Sequence, residues 1–323
     1  ILRADRGGPE TGEGTEGSDV QISSTKAKRW SRSARVAVPR HEVAIYAPGG
    51  GTYYDGRMRR SGGGEWQMIL LGRGLAAHRR RVAHIVHRHS DPLASPDPDL
   101  TLVHRALYSG DRPLIGPVLE GIRAWRALWS ADGSIVIVSD QSPVTAVGAL
   151  FARLRRRRFV YASMNNSNFT EARSNRAYTA LYRLGLRRAD VIVVQSQDQV
   201  ALAQEALPSL RRVVHIPSFA EIPPDATERS EPTAFLWIGR VVSYKQPLCY
   251  VELARATPEA RFTMVAVRQG RSSDELEALR AAARDVPNLE LLDPLPHAEL
   301  MDLVERAVAV VNTSTTEGMP NVF

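Results

Sequence analysis

The sequence predicts an α/β protein of two domains, and three observations carry that prediction. From residue 42 onward, short apolar runs alternate with segments of helical periodicity, the pattern of mostly parallel sheets covered on both faces. A stretch from Pro217 to Pro232, with four prolines and no periodicity, interrupts the alternation as a linker would. Beyond it, Phe235-Leu-Trp-Ile-Gly-Arg240 reads as a buried parallel strand that delivers a cation at its carboxyl end. Ligands of open α/β sheets bind outside those ends, so Arg240 and Lys245, facing each other across one loop, suit a single polyanion such as a diphosphate. The cleft between the two domains is the expected ligand site.

Composition sets the bounds. With 323 residues and 43% hydrophobic content the chain can bury two cores. Its lysines are Lys26, Lys28 and Lys245, against 42 Lys plus Arg, so positive charge is written almost wholly as arginine. Lys245 is therefore either a solvated loop lysine or a position that needs a compact ammonium. The net charge of +7 is compatible with nucleic acid, an anionic membrane face or anionic substrates. A single cysteine, Cys249, excludes an internal disulfide and a multi-cysteine metal site. No apolar run reaches the roughly 18 to 20 residues of a membrane span. The chain is expected to be soluble and cytoplasmic.

The elements follow in order. Residues 1–40, rich in Gly, Glu, Ser and Thr and then basic from Lys26 to Arg35, are expected to be a disordered tail. The first domain, 41–216, opens with a strand over 42–47 and the glycines Gly49 to Gly51. Gly62, Gly63 and Gly64 follow, directly before a helix over 65–78. Strand, glycine loop and helix aim bare backbone N–H groups at an anion, although a mobile glycine-rich loop explains the same composition. The spacing is neither G-x-G-x-x-G nor G-x-x-x-x-G-K-[ST].

Strands at 82–87, 101–104, 134–138, 159–163, 190–194 and 212–216 then alternate with helices at 114–129, 144–154, 171–185 and 198–207. His84 and His87 point to opposite faces of their strand with no acid cluster beside them, so no metal site is expected. Arg153 and Arg155 to Arg158 suit the negative end of a helix dipole. They also form a patch that would dock on an anionic membrane holding a lipid-linked acceptor.

The linker is 217–232 and the second domain 233–323, beginning with a strand over 233–238. A helix starts at Pro247, with Leu248, Val251 and Ala254 as its buried stripe and Cys249 packed in its wall as a small hydrophobe. Ser272-Ser-Asp-Glu275 fits a capping box before a helix ending near Ala283, and strands follow at 288–292 and 307–311.

Three motifs then combine: Ile238-Gly-Arg-x4-Lys245, Pro294-Leu-Pro-His-Ala-Glu-Leu300 and Asn312-Thr-Ser-Thr-Thr-Glu-Gly-Met-Pro-Asn321. Together they resemble glycosyltransferase family 4, over residues from about 42 to the end. The resemblance implies two Rossmann-like domains facing a cleft, the GT-B fold, with the second domain incomplete. It implies a nucleotide-sugar donor, a glycan or lipid-linked acceptor, transfer with retention, and no cofactor or required metal.

Arg240 and Lys245 match the pair that grips the donor diphosphate and neutralises it as it leaves, and Glu317 matches the glutamate that positions the donor sugar. Gly239 belongs to the first motif. Gly318, Met319, Pro320 and Asn321 match the segment whose backbone N–H groups approach sugar and phosphate. As a glycine loop before a helix, Gly62, Gly63 and Gly64 are expected to bind the donor as well. A second family glutamate would fall beyond Phe323, so the chain is expected to be a fragment. Asn165 stands where the family often carries a histidine, and Asp293 where it often carries a glycine.

The expected function is sugar transfer to a hydroxyl acceptor in bacterial polysaccharide or glycolipid assembly, at the inner face of the membrane. Two other readings are an epimerase acting on a nucleotide-sugar, for which the sequence shows no convincing acid/base pair, and an Arg-rich protein that binds nucleic acid or membrane. The basic run at Arg155 to Arg158 lacks interleaved aromatics, so nucleic acid is not the expected partner.

Overall fold

The computed structural model describes residues 38–54, 63–87, 97–106, 116–170, 175–208, 212–219, 231–268 and 274–315. Pro39–Phe323 form one contact unit. The tail expected over 1–40 lies, as far as residue 37, outside the described residues.

The first half begins with β1 (His41–Tyr46), a 3-10 turn at Pro48–Gly50, α1 (Gly51–Tyr54) and α2 (Gly63–Ala77). It continues through β2 (Val82–His87), β3 (Leu100–Arg105), α3 (Gly116–Ala131), β4 (Gly133–Val138), α4 (Val144–Arg155) and β5 (Arg158–Ala162). It ends with α5 (Ser167–Thr170), α6 (Arg176–Arg187), β6 (Val191–Val194), α7 (Gln197–Ala206) and β7 (Val213–His215). The seven strands form one parallel sheet in the order β3-β2-β1-β4-β5-β6-β7. The order reverses at β1/β4, which is the place where such sheets open a ligand crevice.

Continuous apolar strands are buried on both faces, with Ala44, Ile45 and Tyr46 fully inaccessible. α2 covers one face, where Met68 and Ala76 meet Ile45 and Val82. α3, α4 and α6 cover the other, where Leu128, Phe151, Tyr182 and Leu186 pack with Tyr46 and Phe159. At Gly185 a Cβ would lie 2.6 Å from the backbone of Thr145 and Ala146, so only glycine lets α6 approach α4 so closely.

Two readings of this half change. The helix after the glycines starts at Gly63, not Glu65, so Gly63 and Gly64 are its first turn and not a loop; Gly62 lies outside the described residues. The arginine run does not face solvent as a block. Asp132, in a left-handed turn after α3, draws in Arg157 (3.1 Å) and Arg155 (3.4 Å), and Asp190 pairs with Arg158 (3.3 Å). Arg153, Arg156 and Arg158 remain exposed.

The second half comprises β8 (Ala234–Val241), a 3-10 turn at Ser243–Lys245, α8 (Pro247–Ala256), β9 (Phe262–Arg268), α9 (Asp274–Ala283), β10 (Leu289–Leu292), α10 (His297–Glu305) and β11 (Ala307–Val310). Its sheet, β10-β9-β8-β11, is also parallel. Trp237, Tyr250, Phe262 and Met264 fill its core. The Asn288 side-chain amide faces the carbonyls of Ala254, Thr257 and Ala260 at 2.9 to 3.0 Å, closing the carboxyl end of α8.

The buried stripe of α8 is Pro247, Tyr250, Val251 and Ala254; Leu248 is exposed. Cys249 is exposed too, with its thiol 3.2 Å from Gln246 Oε1, because two residues on from Pro247 a side chain points to the far side of the helix. Residues 220–230 of the linker and Ser272 and Ser273 of the expected capping box lie outside the described residues.

Candidate active site

The two sheets meet across a cavity of about 470 Å³. Its first-half wall is built from the carboxyl ends of strands: Tyr46 of β1, His87 of β2, Arg105 of β3, and Ser139 and Asp140 after β4. Gly49, Gly63, Gly64 and Glu65 close one side, and Met164 and Asn165 another. From the second half comes Arg240. It lies inside β8, which runs on through Gly239 and Arg240 to Val241, so rigid sheet holds the cation at the cavity.

Arg240 and Lys245 are brought together through Tyr244. Arg240 Nη2 donates to the Tyr244 hydroxyl at 3.2 Å, and Lys245 Nζ sits 5.9 Å from the centre of the same ring. Lys245 is half-buried and does not line the cavity itself. Gln246, in left-handed backbone (φ 46°), turns the chain from the lysine into Pro247 and α8. Such backbone in a non-glycine residue is uncommon and concentrates at functional sites.

The segment after β11 is tied to this turn. Trp237 Nε1 donates to Thr313 Oγ1 (3.0 Å), whose hydroxyl donates to the Lys245 carbonyl (2.7 Å), and the Thr315 N–H donates to the Tyr244 carbonyl (2.8 Å). The chain that enters Glu317 therefore starts against the Arg240–Lys245 turn. Glu317, Gly318, Met319, Pro320 and Asn321 lie outside the described residues. Gly239 has a packing reason of its own: a Cβ there would sit 2.8 Å from the buried Trp237 ring.

On the facing wall Arg105 is only 3% exposed, ion-paired with Glu120 of α3, and 5.4 Å over the Tyr46 ring. Burial lowers its pKa, which the neighbouring Tyr46 and Asp140 oppose. Ser142 donates to Asp140 Oδ2 at 2.8 Å and fixes that carboxylate. Gly64 packs so closely on Met164 that a Cβ would come within 3.2 Å, and a Cβ on Gly49 would meet the Glu65 side chain at 3.0 Å. The bare start of α2 thus faces the cavity with Glu65 beside it, and Asn165 holds its own turn by accepting the Ser167 N–H at 3.1 Å.

One contact ties the first half to the linker and another ties it to the second half. Buried Gln67 exchanges two hydrogen bonds with the Phe219 backbone (2.7 and 3.2 Å), pinning the start of the linker. His297, from the Pro-Leu-Pro-His motif, lies 4.3 Å from the Trp66 ring, which in turn contacts Tyr53 at 4.8 Å.

Sequence reasoning did not single out Tyr244, Thr313, Thr315, Arg105, Glu120 or Asp140 for the site. Arg105 and Asp140 carry the signal used for Arg240, a charged residue at the end of an apolar strand, and that signal was read only at β8. Among the described residues no group of three or more His, Cys, Asp or Glu could hold a metal ion, and no helix is long and apolar enough to cross a membrane.

Behind the cavity wall, His84 is fully buried with Nδ1 2.9 Å from the Tyr54 hydroxyl, and burial pushes its imidazole down to about 4. Because the unfolded chain takes up this proton near the usual 6.5, stability falls as pH drops from about 6.5 to about 4, by up to about 3 kcal/mol. Unfolding midpoints at pH 7.5, 5.5 and 4.5 should fall more steeply for the wild type than for His84→Gln. Parallel pH profiles would contradict it.

Two parallel α/β sheets facing a composite cavity define the class: the fold is that of the GT-B glycosyltransferases. The solved structures that share it include "Trehalose-6-phosphate from E. coli bound with UDP-2-fluoro glucose", at TM-score 0.57 and 13% identity over 86% of this chain and 79% of that one. HepE from Anabaena, in complex with UDP, gives 0.54 and 13% over 85% and 74%. The lipopolysaccharide outer core galactosyltransferase WaaB, in its apo form, gives 0.51 and 13% over 86% and 75%. No protein-family model matches the chain, and no curated protein matches it.

Proposed function

We propose that the chain is a retaining glycosyltransferase of the family 4 type, moving a sugar from a nucleotide-sugar to a hydroxyl acceptor in polysaccharide or glycolipid assembly. The observation that carries this reading is Arg240, a cation from the second sheet set into a cavity whose other described walls come from the first. Among the proteins that share the fold, one holds a UDP-sugar and another UDP.

When the bond from the anomeric carbon to the diphosphate breaks, the electron pair stays on the diphosphate oxygen. Arg240 and Lys245, preorganised around Tyr244, stabilise the charge that builds there. The acceptor hydroxyl forms the new bond, and its proton passes to the departing phosphate oxygen. Glu317 and residues 318–321 hold the donor sugar, with Thr313 and Thr315 anchoring their approach. Tyr46, Arg105 and Asp140 offer the acceptor side donors and acceptors of hydrogen bonds.

The test combines a panel of nucleotide-sugars with glycan and lipid-linked acceptors and follows the anomeric proton by NMR. Expected is acceptor-dependent release of nucleoside diphosphate and a product with the anomeric configuration of the donor. An inverted product would remove retention.

The epimerase reading draws on Glu65, Glu120 and Asp140, carboxylates gathered in one cavity that the sequence did not show as a group. It predicts an epimeric nucleotide-sugar formed without acceptor, in the same NMR experiment.

A further inference from the structure

We propose that the base of the nucleotide is guanine and that Asp293 selects it. This rests on the nucleotide-sugar reading of the cleft, to which it adds the base.

A second cavity, of about 390 Å³, opens at the carboxyl ends of β9 and β10. Arg268, the last residue of β9, and Asp293, the first after β10, line it with Pro294, and α9 contributes Leu276, Glu277 and Arg280. Strand register fixes its place relative to Arg240. β9 pairs with β8 on one side and with β10 on the other, Arg240 lying opposite Val267 and Leu292 opposite Val265. Arg240 and Asp293 therefore flank β9 within one residue of the same level. Two strand spacings separate them, about 10 Å between backbones. One ribose spans that gap, so a diphosphate held at Arg240 brings the base of the same nucleotide to this cavity.

Ala266, Leu276 and Pro294 give a ring apolar contacts, and the polar groups decide which ring. Arg280 Nη2 donates to Asp293 Oδ1 at 2.9 Å, which orients the carboxylate and uses one of its roughly four accepting positions. What remains of Asp293 is an acceptor with no donor of its own, and Glu277 adds a second carboxylate on the α9 wall. Guanine alone among the common bases offers a carboxylate two adjacent donors, N1–H and the 2-amino group. Uracil would turn two carbonyl oxygens, flanking a single N–H, to the same negative charge. Adenine and cytosine each set one amino group beside a ring nitrogen that accepts. Arg268, one strand nearer Arg240, suits the O6 and N7 acceptors of guanine, the commonest arginine contact to that base.

The Arg280–Asp293 pair has little to do for the fold, because both side chains are more than half exposed and such pairs contribute little to stability. Substitution at Asp293 therefore reads out recognition.

Isothermal titration of the chain with GDP, inosine diphosphate, UDP and ADP tests the choice of base. GDP should bind about 10- to 100-fold more tightly than UDP or ADP, the discrimination of one bidentate base contact. Inosine diphosphate, which lacks only the 2-amino group, should bind about 10-fold more weakly than GDP. Asp293→Asn should lower GDP affinity by about 10- to 100-fold and leave UDP and ADP unchanged. The same variant should gain affinity for xanthosine diphosphate, since xanthine has a carbonyl where guanine has the amino group and the amide offers that carbonyl a donor. A merely structural role for Asp293 would not produce such a gain, and an unfolding midpoint equal to wild type identifies the variant as folded.

UDP or ADP bound as tightly as GDP, or a wild-type chain indifferent to the 2-amino group, would overturn the choice of guanine and leave sugar transfer standing. An Asp293→Asn variant that keeps the GDP preference and gains nothing with xanthosine diphosphate would overturn the role of Asp293. A folded chain that binds no nucleotide at all would remove the nucleotide-sugar reading and this inference with it.

Discussion

Lys245→Ala is expected to lower turnover by about 10²- to 10³-fold, the usual loss when one preorganised donor to a developing anion is removed. Arg240→Ala should fall in the same range, and the two together should lose less than the product of the single effects, because both act through one charge and meet at one tyrosine ring. The lysine variant is clean in structural terms. The Thr313 hydroxyl bonds to the Lys245 carbonyl and the Lys245 N–H to the Val242 carbonyl, so alanine keeps the turn and removes only the ammonium.

Arg284→Ala, an exposed cation just beyond α9 at the other edge of the second sheet, is the control and should leave turnover unchanged. Steady-state rates with a saturating donor decide the matter. Equal, small effects in Lys245→Ala and Arg284→Ala would remove Lys245 from the mechanism.

The second large effect concerns Trp237. It is 2% exposed and packs with Tyr250 in the core of the second sheet, so Trp237→Ala should cost about 3–5 kcal/mol in unfolding free energy. The indole also donates to Thr313, which holds the segment that leads to Glu317. Trp237→Phe keeps most of the apolar volume and loses that bond, so its cost should be about 1–3 kcal/mol, the penalty of an unsatisfied partner. Denaturant unfolding followed by circular dichroism separates the two. Both variants should weaken donor binding; a phenylalanine variant with wild-type binding would show that the Thr313 anchor does not matter to the site.

Much of the fold was legible because strand and helix periods differ and alternate. The β1, β2, β4 and β8 runs and their following helices fell within a few residues of their expected places, and Arg240 emerged at the end of β8 as the apolar run implied. What stayed hidden depends on distant pairs. Thr313 and Thr315 contact the Tyr244–Lys245 turn only after β11 has paired with β8, and no local pattern encodes that.

The inward turn of Arg155 and Arg157 needs Asp132, which is brought to them by the packing of α3 beside α4. A run of like charges is not, on sequence alone, a patch. Cys249 shows the same limit at a smaller scale: helix phase, not hydrophobicity, decided its exposure.

In the proposed function, the cleft holds a nucleotide-sugar through Arg240 and Lys245. Thermal unfolding of the chain with UDP-, GDP- and ADP-sugars tests it most directly, because a ligand that binds only the folded state adds about 2.7 kcal/mol at 100 times its Kd. A clear upward shift is expected with one donor class, reduced in Arg240→Ala and Lys245→Ala and retained in Arg284→Ala. A folded chain that shifts with no donor, or shifts equally in all three variants, would contradict it.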